Sequence, residues 1–316
     1  MTRELLLLRH GKARRDKHGS DFGRPIADTG KRGAQRMATW IWRNDLMPDY
    51  VISSPAARAL ETARKACKAM GMGPQGIVED QRIYEATTSE LLRVLGDVPQ
   101  TARRVLLVGH NPGLNNLFSY LDAENEKRLP KAALAHLELP DHWLKLAPGC
   151  GRTLTRVLPG KLPEKFPFPG PHDSELRDRP SYYYSQSAVI PWRLHKGEVE
   201  IMVILSSRKK HWVVPKGIKE PGMSPQESAA EEALEEAGVE GIVGDEALGS
   251  YIYEKWGAAT TCHVYPMEVT HEIAYAEWEE NHRQRTWVTP EQAAAQLRQP
   301  QLGPIVAALA ARLRAR

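Results

Sequence analysis

Apolar and polar positions change their period along this chain, and the changes divide it. From Leu5 to about Leu158 short apolar runs alternate with stretches of helical period: LLLL (5–8), GAQRMATWIW (33–42), YVIS (50–53), AARALETARKACKAM (56–70), RRVLLVGH (103–110) and GLNNLFSYL (113–121). Strand and helix in alternation predict an α/β sheet with helices on its faces. From about 159 to 182 the chain reads PGKLPEKFPFPGPHDSELRDRPSY, rich in proline and charge and without either period. That composition predicts a semi-rigid linker. Beyond it SAVIPWRL (187–194), VEIMVILSS (199–207), GSYIYEKW (249–256) and ATTCHVYPMEV (259–269) read as strands, and PEQAAAQLRQ (290–299) and GPIVAALAARLRAR (303–316) as helices. The expected organisation is a domain over 1–160, a linker over 161–182, and an α+β domain with a mixed sheet over 183–316. No internal repeat relates the halves.

Composition narrows the classes. A chain of 316 residues with 41% hydrophobic and 26% charged residues is long enough for two cores. The leucine run near the N-terminus is too short for a signal-peptide core, no later apolar run approaches a membrane span, and a cytoplasmic location is expected. Cys67, Cys150 and Cys262 are far apart and lack paired ligand spacing, so neither a disulfide framework nor a zinc site is expected. The net charge of +4 is small and its basic residues are interspersed with acidic ones, which argues against a nucleic-acid polymer or a membrane as partner. Local basic groups suit a phosphorylated small-molecule substrate.

In the first half, two apolar runs end in histidine. LLLL is followed by Arg9-His10-Gly11, and VLLV by Gly109-His110-Asn111. Strand ends of an open α/β sheet deliver functional groups to one edge, so the two histidines are candidates to lie side by side there. A third segment, Ser53-Ser54-Pro55-Ala56-Ala57-Arg58, follows the strand YVIS and opens a helix, adding an arginine. LLLLRHGKA, SSPAARALETA and VGHNPGL resemble the three signature segments of the histidine phosphatase superfamily, and their spacing is similar to its SixA-type phosphohistidine phosphatase branch. The resemblance implies in-line attack on phosphorus by His10, a phosphohistidine intermediate, and Arg9, Arg58 and His110 holding the phosphoryl oxygens, with Asn111 binding substrate and no cofactor. Glu85 is the one candidate for a general acid, against its reading as a surface glutamate at a helix start.

In the second half, AAEEALEEAG (229–238) sets Glu232, Glu235 and Glu236 at i, i+3 and i+4, on one face of a helix. Alone, it also reads as a solvated surface helix ended by Gly238. Its preamble is a strand, a glycine-bearing loop, and a Ser224-Pro225 helix start with Glu227 at capping-box spacing. The segment from Gly217 to Val239 resembles the Nudix box, with Met223 in place of its first glutamate, Glu231 in place of its arginine, and the small Ala233 at an apolar position. Clustered carboxylates are hard oxygen donors that suit Mg²⁺ or Mn²⁺. The resemblance implies metal binding by Glu232, Glu235 and Glu236, with Glu235 and Glu236 catalytic, for cleavage of a diphosphate.

Flanking segments, SSRKKHWVVPKG and EWEENHRQRTWVTPEQA, are similar to the corresponding parts of the diphosphoinositol polyphosphate and diadenosine polyphosphate hydrolases. Arg208, Lys209, Lys210 and Lys216 are candidates for contacting a phosphorylated ligand; a solvated basic turn is the other reading. Glu279 or Glu280 is a candidate for a further ligand or base. Trp256 and Trp287 suit either stacking on a base or core packing. The expectation is a bifunctional phosphohydrolase, one site removing a phosphoryl group through phosphohistidine and the other hydrolysing a diphosphate. The alternative is a phosphohistidine protein phosphatase in signalling with a non-catalytic, nucleotide-sensing Nudix domain.

Overall fold

Leu5, Leu6, Leu7 and Leu8 are all fully buried because strand β1 (Arg3–Arg9) lies inside a sheet covered on both faces. Leu5 and Leu7 enter one apolar cluster, Leu6 and Leu8 the other. A strand with two buried faces needs a continuous apolar run, where a half-exposed one alternates. Each such leucine contributes about 1.5–3 kcal/mol of burial.

The structure is a computed structural model that describes residues 2–15, 20–124, 128–169 and 175–315. It divides into two units, Met1–Phe168 and Pro169–Arg316.

In the first unit β1 is followed by α1 (Asp28–Arg43), β2 (Tyr50–Ser53), α2 (Ala57–Ala69), β3 (Ile77–Glu79), α3 (Thr88–Gly96), β4 (Arg104–Gly109), α4 (Gly113–Leu121), β5 (Leu134–Leu139) and β6 (Arg152–Val157). The sheet order is β3-β2-β4-β1-β5-β6. β3, β2, β4 and β1 run parallel, and β5 and β6 are antiparallel. β5 and β6 lie outside the elements that the sequence pattern predicts. The pairing of β1 with β4 sets Arg9 opposite Gly109, so the residues after them leave the sheet side by side.

The proline-rich stretch is not featureless. It holds the two-residue strands β7 (Phe166–Pro167) and β8 (Leu176–Arg177) and single turns of 3₁₀ helix at Pro159–Lys161 and Ser181–Tyr184. Side chains from outside tie its first part down: Arg36 donates to the Leu162 carbonyl, and the Arg32 guanidinium lies 5.7 Å from the Phe166 ring centroid. These are tertiary contacts with no local period. Residues 170–174 of the expected linker lie outside the described residues.

The second unit contains β9 (Ser185–His195), β10 (Glu198–Leu205), β11 (Trp212–Val213), β12 (Lys216–Ile218), α5 (Pro225–Ala237), β13 (Val239–Val243), β14 (Gly249–Lys255), β15 (Ala258–Glu272), β16 (Arg285–Val288), α6 (Pro290–Gln296) and α7 (Leu302–Arg314). β9 and β15 are parallel neighbours and the remaining pairs are antiparallel, so the sheet is mixed. Two apolar clusters form. Leu302, Val306 and Leu309 of α7 join Ile190 and Ile201 in one, while Ala229, Ala233 and Ala237 of α5 pack with Val189 and Met202 in the other. Three alanines at i, i+4 and i+8 are the buried stripe of α5, and small side chains let it lie close to the sheet. The glutamates are left to its other sides.

No helix among the described residues is long and apolar enough to cross a membrane. Cys67, Cys150 and Cys262 are free.

Candidate active sites

In the first unit the ends of β1 and β4 and the start of α2 build one buried polar cluster. His10, His110 and Arg58 are 6%, 7% and 6% exposed. The two imidazoles have ring centroids 5.0 Å apart. His10 Nδ1 lies 2.7 Å from the Gly11 carbonyl oxygen. A carbonyl only accepts, so Nδ1 carries the proton and Nε2 presents a lone pair. His110 Nε2 shares a 2.9 Å hydrogen bond with Ser54 Oγ, and its Nδ1 has no hydrogen-bond partner among the described residues. Burial, and then the positive charges of Arg58, Arg9 and Lys131, push His10 down to about 4. Burial, then His10 and Arg58, push His110 down to about 3. Both rings are neutral near pH 7.

Arg58 is held in place. Its Nη1 donates to the Asp21 carbonyl at 2.5 Å and its Nη2 to Asp21 Oδ2 at 2.8 Å. Tyr84 donates its hydroxyl to the same carboxylate at 3.2 Å, stands edge-on to His110 at 5.5 Å, and lies under the Arg58 guanidinium at 5.9 Å. Asp21 and Tyr84 escape sequence reasoning because they come from a loop and from the residue after a 3₁₀ turn, with no periodic signal. Arg9 and Asn111 each donate to the Leu129 carbonyl at 2.9 Å. Both line a cleft of about 760 Å³ with Asn115, Asn116 and Arg128. Glu85 is exposed with φ of 53°, outside any helix; the start of α3 is capped instead by Thr87 and Glu90.

In the second unit the glutamate helix α5 has the expected capping box of Ser224 and Glu227 and ends on Gly238 at φ of 60°. Left-handed backbone there favours glycine. Arg285 caps this end, donating from Nη1 to the Ala237 and Gly238 carbonyls at 2.7 and 2.8 Å. A cation at a helix C-terminus also complements the helix dipole.

The glutamates divide between two flanks. Glu232 and Glu236 are half-buried and Glu231 and Glu235 exposed. The Glu232 carboxylate rests against the backbone of Gly217, in space that a β-carbon there would fill. Burial, then Glu236, Glu235 and Glu220, push Glu232 up to about 8. Burial, then Glu279, Glu231, Glu280 and Glu236, raise Glu235. Glu236 accepts from the Lys216 backbone N–H at 3.0 Å through one oxygen and from Arg283 Nη2 at 2.8 Å through the other. Arg283 also ion-pairs with Glu280 at 2.5 Å. Among the described residues no three acidic, histidine or cysteine side chains already converge on one metal position. The donor set still fits a hard divalent cation: Glu232 against Gly217 and Glu236 on the Lys216 N–H are half-buried carboxylate oxygen donors, and burial and then the acidic neighbours push Glu232 up.

Lys216 lines a cleft of about 290 Å³ with Tyr251, Tyr253, Lys255 and Arg298. Arg208, Lys209 and Lys210 are exposed on the turn between β10 and β11 and do not line it. Trp256 packs edge-on against Tyr183 at 5.1 Å. Trp287 carries the Arg193 guanidinium 4.1 Å from its ring and donates to Glu272 at 2.9 Å. Both tryptophans are thus engaged by the protein itself.

The description "histidine phosphatase superfamily (branch 1)" matches residues 5–91, and "NUDIX domain" matches residues 184–309. The chain therefore belongs to the NUDIX family through its second unit, and its first unit carries the histidine phosphatase match; it is a phosphohydrolase with two hydrolase-family parts. It is similar to an uncharacterized protein of Mycobacterium tuberculosis, 28% identical over 153 residues that cover 45% of this chain and 94% of that one. Diphosphoinositol polyphosphate phosphohydrolase 2 of Rattus norvegicus is 33% identical over 127 residues, 39% of this chain and 67% of that protein. Among solved structures, the protein histidine phosphatase SixA complexed with tungstate matches with 20% identity and a TM-score of 0.44, covering 50% of this chain and 97% of that chain. A Caenorhabditis elegans Ap4A hydrolase matches with 18% identity and a TM-score of 0.35, covering 41% of this chain and 98% of that chain.

Proposed function

We propose that the chain is a bifunctional phosphohydrolase whose first unit, over residues 1–160, removes a phosphoryl group through a phosphohistidine and whose second, over 183–316, hydrolyses a diphosphate linkage. The observation that carries the first half is the His10 tautomer: Nδ1 is committed to the Gly11 carbonyl, so Nε2 of a neutral ring is the nucleophile. Nε2 attacks phosphorus in line; the N–P bond forms as the bond to the leaving group breaks. Water then attacks the phosphohistidine, releasing phosphate and restoring His10. Arg9, Arg58 and His110 stabilise the charge on the phosphoryl oxygens, with Asn111 beside Arg9 in the adjoining cleft. Among the described residues the Asp21 carboxylate in this cluster is committed to Arg58 and Tyr84 and Glu85 makes no contact with it, which favours leaving groups of low basicity, such as a phosphoimidazole.

For the second half, Glu232, Glu235 and Glu236 would hold Mg²⁺ or Mn²⁺, which when bound supplies charge neutralisation and an activated water. Lys216 and Lys255 line the cleft beside them and would take the substrate's phosphates. The rat relative that this unit resembles is named for diphosphoinositol polyphosphates, a ligand class whose charge suits that cleft. The two sites act on related phosphorylated metabolites, the second exposing a phosphate that the first removes. Free cysteines support a cytoplasmic setting.

The test is to incubate His10→Ala and Glu235→Gln chains, with and without chelator, with nucleoside and dinucleoside polyphosphates, inositol pyrophosphates and phosphohistidine. The proposal expects chelator-resistant turnover that His10→Ala abolishes and metal-dependent turnover that Glu235→Gln abolishes. If neither variant accumulates a product that the other consumes, the coupling is wrong.

A second reading has the first unit dephosphorylate a phosphohistidine protein while the second senses a nucleotide without turnover. It is favoured by Glu231, an exposed glutamate that adds negative charge beside Glu235. Mg²⁺-dependent turnover of any diphosphate by the His10→Ala chain would sink it.

A further inference from the structure

Five glutamates, at 231, 235, 236, 279 and 280, act on one patch of the second unit, as the electrostatic pressure on Glu235 records. Into this patch the chain sends one buried guanidinium. Arg283 has a side chain 8% exposed and is ion-paired at 2.8 Å to Glu236 and at 2.5 Å to Glu280. Helix α5 itself carries no basic residue; position 231, one turn before Glu235, is an exposed glutamate. The helix therefore cannot orient its own carboxylates by an internal ion pair.

We propose that Arg283 is the positioning residue of the carboxylate site, holding Glu236 in the orientation from which it binds the divalent cation. The inference rests on the reading of the second unit as a metal-dependent hydrolase. Arg283 takes one oxygen of Glu236 and the Lys216 backbone N–H takes the other, so the carboxylate is gripped from the segment before β16 and from the start of β12 at once. A carboxylate has about four lone-pair directions, and two donors leave the remainder for a cation. Holding the plane of the group fixed spares the entropy of ordering it when the ion arrives. Glu280 lies against the Nε side of the guanidinium as a second ion-pair partner. Burial matters as well: a guanidinium this enclosed cannot exchange partners freely with water.

A role as mere counter-charge makes the opposite prediction. Removing a cation from a patch of carboxylates strengthens their attraction for a metal ion, whereas removing a positioning group weakens binding. The experiment is Mn²⁺ titration of the full chain, followed by the electron paramagnetic resonance of free Mn²⁺, for wild type, Glu232→Gln, Arg283→Ala and Arg283→Lys. Positioning expects a wild-type site lost in Glu232→Gln and weakened roughly 10- to 100-fold in Arg283→Ala. Arg283→Lys, which keeps the charge and most of the stem but not the planar fork, is expected to bind more weakly than wild type and more tightly than Arg283→Ala. If Arg283→Ala fails to fold, Arg283→Lys decides alone: affinity equal to or above wild type overturns the proposal. A wild-type chain that binds Mn²⁺ while both variants bind it equally well refutes the positioning role only. A wild-type chain with no Glu232-dependent Mn²⁺ site overturns the hydrolase reading and this inference with it.

Discussion

The carboxylate of Glu232 lies where a β-carbon on residue 217 would be, so the two positions exclude each other's side chains. Gly217→Ala is expected to push Glu232 aside while leaving the backbone path of β12 intact. Metal-dependent turnover should fall roughly 10- to 100-fold, a displacement cost for a misplaced group, with the far-ultraviolet dichroism and melting curve little changed. Wild-type kcat in a folded Gly217→Ala chain would show that the contact has no functional weight.

Glu232 also makes the metal-free chain sensitive to alkali. Its carboxyl is pushed up from 4.5 to about 8 by burial and by its acidic neighbours, so the folded state binds the proton more tightly than the unfolded state. The stability this contributes is fully present below about 4.5 and is lost as pH rises through about 8. In chelator, the melting temperature of the second unit should fall over that window, and Glu232→Gln should flatten the fall while abolishing metal-dependent turnover. A wild-type melting profile identical to that of the variant from pH 5 to 9 would refute the assignment.

The histidine pair makes the opposite demand at acid pH. Both folded values, about 4 for His10 and about 3 for His110, lie below the ordinary 6.5, so the unfolded chain takes up protons first. Stability is full above about 6.5 and declines as pH falls toward 4 and then 3, by at most about 1.4 kcal/mol per pH unit for each group. His10→Ala should lessen that decline in urea unfolding of the first unit. The chelator-resistant phosphatase should keep a neutral nucleophile down to about pH 5, and an activity lost with an apparent pKa of 6.5 would contradict this.

Asp21 holds Arg58 through both its carbonyl and its carboxylate. Asp21→Asn keeps the shape and removes the charge; kcat/KM of the chelator-resistant reaction should drop roughly 10- to 100-fold. Metal-dependent turnover is the internal control and should not move. Equal kcat/KM in variant and wild type would mean that Arg58 needs no such partner.

Much of this protein was legible in one dimension because the relevant physics is local. The leucine run of β1, the helical period of α1 and α2, and the cap residues of α5 each satisfy their own backbone and burial within a few positions. Motif spacing likewise placed His10 beside His110, since parallel strands must deliver their ends to one edge. β5 and β6 were missed because their pairing is set by β1, more than a hundred residues away in sequence. Arg208 and Lys210 show the reverse case: basic composition pointed to a ligand, and the hairpin turn carries them into solvent, while Lys216 lines the cleft with Lys255 and Arg298.

By itself, then, the sequence determined the two folds and the acidic helix through periodicity and spacing, and a family resemblance singled out His10 as the candidate nucleophile. Which charge answers which was decided only in three dimensions. Asp21 on Arg58, Gly217 under Glu232 and Arg283 on Glu236 are pairs separated by 37, 15 and 47 positions. Coulombic and steric interactions depend on distance in space, and no local pattern records it.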